Sequence, residues 1–363
     1  MLVSPALLFW TLPYLMLLLI IGTLEQTKLG LYAAQHKFFG SLFFMLGPIP
    51  LPGGILICAL LFINLAAKFL LDSEWSKARI GIHLAHLGVL VMLMGGLISN
   101  VSREEWAMTL PPGEEVSEAS DYFESELVLL KNDLPLAEIP FEDLKAGATL
   151  FEGKAPFDVS VINLCRSCQV ILRDEAGNQG ATGEWRGPSA KMALVEGEAS
   201  LKAEENLQGL SFHISGLDSE VEGNYVTFLF FPKPPLWKIG EDRYSLVVQR
   251  KMHILPFSLE LLDFQAIYYP GTQMARSYSS DVQVKYGNEL YPAHIAMNEP
   301  LSTDLYTVYQ SSFFQNQAGE SVSVLTVVKN RGRYFPYIGT GLVAFGLILY
   351  VFMRARRVKE GVA

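Results

Sequence analysis

Cysteine is scarce: three residues in a chain of 363. That excludes a disulfide-dense secreted domain. Basic residues are also in deficit, with 28 Lys and Arg against 37 Asp and Glu and a formal net charge of −9. Nucleic-acid binding draws on a basic patch, so no nucleic-acid partner is expected. No repeat of roughly 20–50 residues is present, which argues against solenoids and arrays, and there is no low-complexity tract. No Lys or Arg precedes the first apolar block, and Gly22-Thr23-Leu24-Glu25 is a poor small-residue cleavage site. An uncleaved helix is therefore expected there, not a signal peptide.

What the chain has in excess is apolar sequence. Half of it (50%) is hydrophobic, and the mean hydropathy is +0.26. The apolar blocks sit at both ends, around a charged middle that carries Gly and Pro. Residues 2–23 form the first block, long enough at about 1.5 Å per residue to cross a hydrocarbon core of about 30 Å. Pro13 lies inside it and predicts a kink. Residues 25–46 mix Glu25, Lys28, His36 and Lys37 with Leu, Tyr and Phe, the pattern of an amphipathic helix at a membrane interface. The run Gly47-Pro48-Ile49-Pro50-Leu51-Pro52-Gly53-Gly54 breaks any helix. Further spans are expected over 55–71, 79–98 and 334–353, the last followed by a basic tail, 354–363, carrying Arg354, Arg356, Arg357 and Lys359.

Between the third and fourth spans, residues 100–333 hold several runs of period-two alternation, among them Phe157-Asp-Val-Ser-Val-Ile-Asn-Leu and Ser321-Val-Ser-Val-Leu-Thr-Val-Val. Such runs read as antiparallel strands. The expected fold is therefore membrane α-helical, with four transmembrane helices plus a large extracytoplasmic all-β domain, a sandwich or an open barrel. Positive charge marks the cytoplasmic side of a span. The basic tail then places the C-terminus inside, residues 100–333 outside and the N-terminus inside. The expected location is a multi-pass protein of the inner (cytoplasmic) membrane, with the large domain in the periplasm or its equivalent.

Chemistry concentrates in the third span, Ile80-Gly-Ile-His-Leu-Ala-His-Leu-Gly-Val-Leu-Val-Met-Leu-Met-Gly-Gly. Three residues apart on a helix, His83 and His86 share one face. An ionisable side chain in a span is costly and usually meets protein, water or a ligand. His86 lies about 10 Å inside the span from Arg79; its rival role is a bond to a neighbouring helix carbonyl. His83 lies a turn nearer the cytoplasm, where it can be hydrated. Gly88, Gly95 and Gly96 allow close helix approach or a flat porphyrin face. His36 and Lys37 sit on the amphipathic segment and offer a weak outer-face contact to a haem and its propionate. Cys165-Arg-Ser-Cys168 is a weak redox candidate. On a straight strand its two side chains face opposite sides, so pairing needs a bend, and a structural disulfide or a pair of free thiols is the plainer reading. His213, His253 and His294 show no metal spacing.

The order of spans and insert resembles the ResB (CcsB) family of the System II cytochrome c biogenesis machinery. Local text carries the resemblance: Gly22-Thr-Leu-Glu-Gln-Thr-Lys-Leu-Gly-Leu-Tyr after the first span, Leu84-Ala-His-Leu-Gly in the third, and Phe257-Ser-Leu-Glu-Leu-Leu-Asp-Phe in the late strands. Ile295-Ala-Met-Asn-Glu-Pro-Leu and Leu305-Tyr-Thr-Val-Tyr-Gln-Ser-Ser-Phe complete it. The resemblance implies a subunit of a membrane cytochrome c synthase that relays haem b across the membrane and presents apocytochrome c for covalent attachment. It implies a multi-span haem-handling partner of the ResC (CcsA) type, and a thioredoxin-like thiol reductant as a further partner. His86 matches the family's third-span histidine, which implies haem axial ligation. The partner's tryptophan-rich segment is absent here. The chain therefore reads as a non-catalytic or partial subunit of a haem lyase complex. Two alternatives stay open: an assembly or chaperone subunit that never touches haem, and a membrane-tethered thiol reductant using Cys165 and Cys168.

Overall fold

The computed structural model describes residues 3–71, 73–176 and 183–359. Leu2 of the first expected span, Asp72 of the charged turn and residues 360–363 of the expected basic tail lie outside the described residues.

Among the described residues, four helices are long and apolar enough to cross a membrane. They are α1 (Pro5–Leu29), α3 (Gly54–Leu71), α4 (Ile80–Ser102) and α6 (Phe335–Lys359); α2 (Leu31–Phe38) and the single turn α5 (Arg173–Ala176) complete the helices. Ser4 caps α1, its hydroxyl accepting from the Ala6 amide at 3.3 Å, and Pro5 opens the first turn, where its missing N–H is harmless. The helix continues through Pro13 and stops at Gly30. Gly30 has φ +81°, and a Cβ there would lie 1.8 Å from the Leu201 carbonyl oxygen. Only glycine fits both the turn and the contact.

Residues 25–46 depart from the single interfacial helix that their composition predicts. They contain the end of α1, the short α2, and a strand, β1 (Phe43–Leu46), which pairs antiparallel with β2 (Ile49–Pro52). Pro48, Pro50 and Pro52 prevent a helix after Leu46 yet leave a hairpin of two four-residue strands around Gly47, φ +62°, because hairpin edges tolerate missing N–H groups.

Residues 104–329 fold as an all-β domain. Its strands are β3 (Glu104–Leu110), β4 (Glu115–Lys131), β5 (Leu134–Pro140), β6 (Thr149–Leu150), β7 (Asp158–Cys165), β8 (Cys168–Leu172), β9 (Met192–Glu196) and β10 (Gly209–Ser215). They continue with β11 (Gly223–Phe228), β12 (Leu236–Ile239), β13 (Asp242–Tyr268), β14 (Ala275–Tyr286), β15 (Glu289–Ala296), β16 (Leu301–Thr303), β17 (Tyr306–Gln315) and β18 (Ser321–Lys329). A ten-stranded sheet runs β15–β14–β13–β4–β3–β18–β17–β16, with β12 paired to β13 and β5 to β4. A four-stranded sheet runs β11–β10–β7–β6, and β8 pairs with β9.

Two cores divide this domain, and β4 and β13 serve both. In one, Leu127, Leu129, Leu246 and Val248 of the large sheet pack on Val159, Val161, Leu210, Phe212 and Ile214 of the small one, a sandwich with Trp237 inside. In the other, the large sheet curls around Trp106, Met108, Phe257, Leu259, Val282, Val308 and Leu325. The 27 residues of β13 pass from one core to the other through register shifts at Arg250/Met252 and Ile254/Leu259. Each fully buried Leu, Val or Phe contributes roughly 1.5–3 kcal/mol of hydrophobic stabilisation.

Candidate functional site

The third span is organised by its glycines. Gly81, Gly88 and Gly95 recur every seven residues on α4, and Gly332, Gly339 and Gly346 recur every seven residues at and along α6. The two series meet in antiparallel register. A Cβ on Gly81 would lie 2.6 Å from the Gly346 carbonyl oxygen, and one on Gly88 2.6 Å from that of Gly339. One on Gly332 would lie 2.8 Å from the Gly95 carbonyl oxygen. The two backbones therefore touch along the whole pair. A seven-residue repeat keeps this seam aligned as the helices wrap left-handedly. Gly88 and Gly95 thus serve helix approach, and α6 occupies the face that a porphyrin would need. Gly96 faces open space.

This packing fixes where the histidines point. At about 100° per residue, His86 lies roughly 160° around α4 from Gly88. His83 and His86 both project away from α6, on the side where α3 packs. His83 is 6% exposed, so the hydrated position expected for it does not hold. Its ring stacks on Trp75 at 4.6 Å and meets the edge of Phe69 at 6.3 Å. Its Nε2 lies 3.1 Å from the Glu74 carbonyl oxygen. A carbonyl only accepts, so Nε2 is the donor. Its Nδ1 is buried with no hydrogen-bond partner among the described residues. The Glu74-Trp75 turn lies over the helix end, where Glu74 also ion-pairs with Arg79 at 2.7 Å.

His86 differs. It is half-buried, and among the described residues no hydrogen bond reaches its ring. Lys68 and His83 lie within electrostatic reach. The pair is thus unequal: His83 is enclosed by protein, and His86 keeps both ring nitrogens uncommitted.

The other candidates stand apart from this pair. His36 is exposed on α2, stacked on Tyr32 at 6.5 Å, and Tyr32 stacks in turn on Phe123 of β4 at 4.1 Å. Lys37 sits 5.1 Å from the Phe38 ring centroid. Both belong to the end of the membrane region next to the β domain, whereas His83 and His86 lie near the opposite end of α4. Cys165 and Cys168 form a disulfide with Cα atoms 5.3 Å apart. The bend that pairing requires comes between β7 and β8, where the Cys168 amide donates to Leu207 at 2.6 Å. Both residues are buried against Leu194 and Val226.

The histidines of the β domain have local partners. His213 Nδ1 meets Asn224 Oδ1 at 2.8 Å, His294 Nδ1 meets Asp281 Oδ1 at 2.7 Å, and His253 packs on Trp106 at 4.8 Å. Gln310 of the Leu305–Phe313 run joins a buried hydrogen-bonded cluster. Ser280 Oγ donates to Gln310 Oε1 at 2.7 Å, and Gln310 Nε2 donates to Ser323 Oγ at 3.0 Å. Burial raises the Tyr122 hydroxyl pKa, although its bond to Thr326 works the other way. Sequence reasoning missed Phe69, Glu74 and Trp75. A lone tryptophan in a short polar turn beside a histidine-bearing span was the signal that could have found them.

Comparison with known proteins bears on the β domain. Residues 241–323 match the ResB-like family; they comprise β13 to β17 and the start of β18, the strands of the curled core. Protein NrfI of Wolinella succinogenes is 31% identical over 96 residues, a stretch covering 26% of this chain and 10% of that protein.

Proposed function

We propose that this chain, a member of the ResB-like family, works in cytochrome c biogenesis as one subunit of a membrane haem-delivery complex. The basic residues in the last two turns of α6, Arg354, Arg356, Arg357 and Lys359, orient it with the β domain outside the cytoplasm. In this reading haem is cargo. His86 holds its iron within the membrane, and a multi-span partner of the ResC type supplies the second ligand. The β domain keeps apocytochrome c near the haem while the partner completes the covalent bonds.

The observation that carries the haem step is the face of α4 that bears His86. The glycine seam commits the opposite face to α6, and His86 is left half-buried without a hydrogen bond among the described residues. Neutral imidazole in that state is a competent metal ligand. His83 would keep a supporting role, its Nε2–H spent on Glu74. A thiol-reductant role fits less well, because thiol–disulfide exchange needs access and Cys165 and Cys168 are both buried.

The test is to co-purify the protein with its partner and record haem spectra. His86→Ala is expected to lose haem or shift its spectrum, and His86→Gly with added imidazole to restore it. Unchanged haem content and spectrum in His86→Ala would remove the ligand assignment. It would favour a subunit that stabilises the partner without touching haem.

A further inference from the structure

A pocket of about 440 Å³ opens where the β domain meets the membrane helices, within the range of small-molecule sites, ~300–1,000 Å³. Arg103, Glu105, Thr307, Tyr309, Thr326 and Arg333 supply its polar lining, with Asn330 and Val328. Arg103 directly follows the last residue of α4, and Arg333 stands two residues before α6. Every other lining residue is a few positions from one of those helix ends in sequence or across the ladder. The pocket therefore sits at the height of lipid head groups, on the β-domain side. Tyr334 and Tyr337, both exposed, mark the same level, as interfacial tyrosines do.

The lining has two guanidiniums against one carboxylate, so it is net positive. Arg333 is held in place: its Nη1 donates to the Tyr306 carbonyl at 2.9 Å and to Thr307 Oγ1 at 3.3 Å, and Nη2 donates to the Tyr334 hydroxyl. Five N–H groups serve a guanidinium, so Arg333 retains donors beyond these. Among the described residues the Arg103 side chain is tied to Glu105 alone, in an ion pair, and it is 58% exposed. A fixed guanidinium, a movable one and hydroxyls from Thr307 and Tyr309 form a donor set suited to a tetrahedral oxyanion, while the Thr326 hydroxyl is engaged with Tyr122 at 2.7 Å.

We propose that this pocket binds the phosphodiester head group of an anionic glycerophospholipid, seating the root of the β domain on the membrane. Glu105 competes with the phosphate for Arg103, so the site is self-shielded when empty. The proposal is independent of any haem-handling role.

The experiment measures retention of phosphatidylglycerol against phosphatidylcholine by the full-length protein, using native mass spectrometry after detergent extraction. Wild type is expected to retain phosphatidylglycerol preferentially. Loss of a charge-assisted bond should weaken that retention about tenfold in Arg103→Gln. Glu105→Gln should strengthen it, an opposite sign that misfolding cannot mimic. Equal retention of the two lipids, unchanged retention in Arg103→Gln, or weaker retention in Glu105→Gln would overturn the site. Displacement by millimolar inorganic phosphate as effectively as by short-chain phosphatidylglycerol would overturn the lipid assignment and leave a simple anion site.

Discussion

The helix pairs α4–α6 and α1–α3 are both apolar and both antiparallel, yet they are held by different means. In α4–α6 the contact is backbone on backbone, through glycines at seven-residue spacing on both partners. In the other half, α1 is tied by polar bonds at Ser4 and Tyr14, and its Leu18 packs in a small apolar cluster with Phe38 and Phe44. Tyr14 donates to the Pro52 carbonyl at 2.7 Å, and Asn64 donates to the Ser4 carbonyl at 3.3 Å. Phe9, Trp10, Met16 and Leu24 of α1 remain largely exposed. In a bilayer, apolar area drives little association between helices, and close packing with few polar bonds decides it. The first pair therefore acts as a fixed strut. The second is a looser layer whose open apolar surface suits lipid or another membrane subunit.

Substitutions can break or sharpen this contrast. Gly88→Leu should act most strongly. The new side chain meets the α6 backbone at the Gly339 carbonyl oxygen, 2.6 Å, and the Val343 amide nitrogen, 2.8 Å, as well as Val343 Cγ2, so the helices must part at a cost of ~3 kcal/mol. The expected outcome is a lower thermal unfolding midpoint in detergent and reduced accumulation. Next in size is Tyr32→Ala, which removes the aromatic stack joining α2 to Phe123. About 1 kcal/mol should be lost beyond the area term, read as faster proteolysis of the 30–53 region with α4–α6 intact. Tyr14→Phe removes one bond to Pro52 and should cost only ~0.6 kcal/mol; a loss as large as that of Gly88→Leu would refute the contrast. Gly96→Leu should stay within about 0.5 kcal/mol of wild type, because nothing lies within 4 Å of the added carbon. Its failure to fold would show that α4 has a second close neighbour.

Much of this arrangement was legible from the sequence, for physical reasons. Spans announce themselves because a bilayer admits only long apolar runs. The strand domain did so through alternation in β7, β14 and β18. The hairpin at 43–52 did not, because four-residue strands rich in proline carry no periodic signal. The glycine heptads were visible in each helix, but not that they meet. That register depends on the β ladder, which joins Lys329 to Glu104. The enclosure of His83 was hidden for a similar reason: Trp75 and the Glu74 carbonyl reach it from a turn outside the span. The disulfide was legible only as one option among two, since the bend after Cys165 depends on Leu207, distant in sequence.

The pairing of β3 with β18 has a further consequence. These strands are the first and last of the domain, and their ladder begins within a few residues of α4 and α6. Seen from the membrane, residues 104–329 amount to a tight hairpin between two helices. A flexible loop of that length would oppose helix pairing by about 5 kcal/mol of closure entropy. Here the domain brings its own ends together, so the two helices can dock with almost no tether penalty. By the same logic the segment 104–329 should fold as a free-standing soluble unit with adjoining termini, and the helix hairpin should tolerate its replacement by any short turn that keeps the glycines in register.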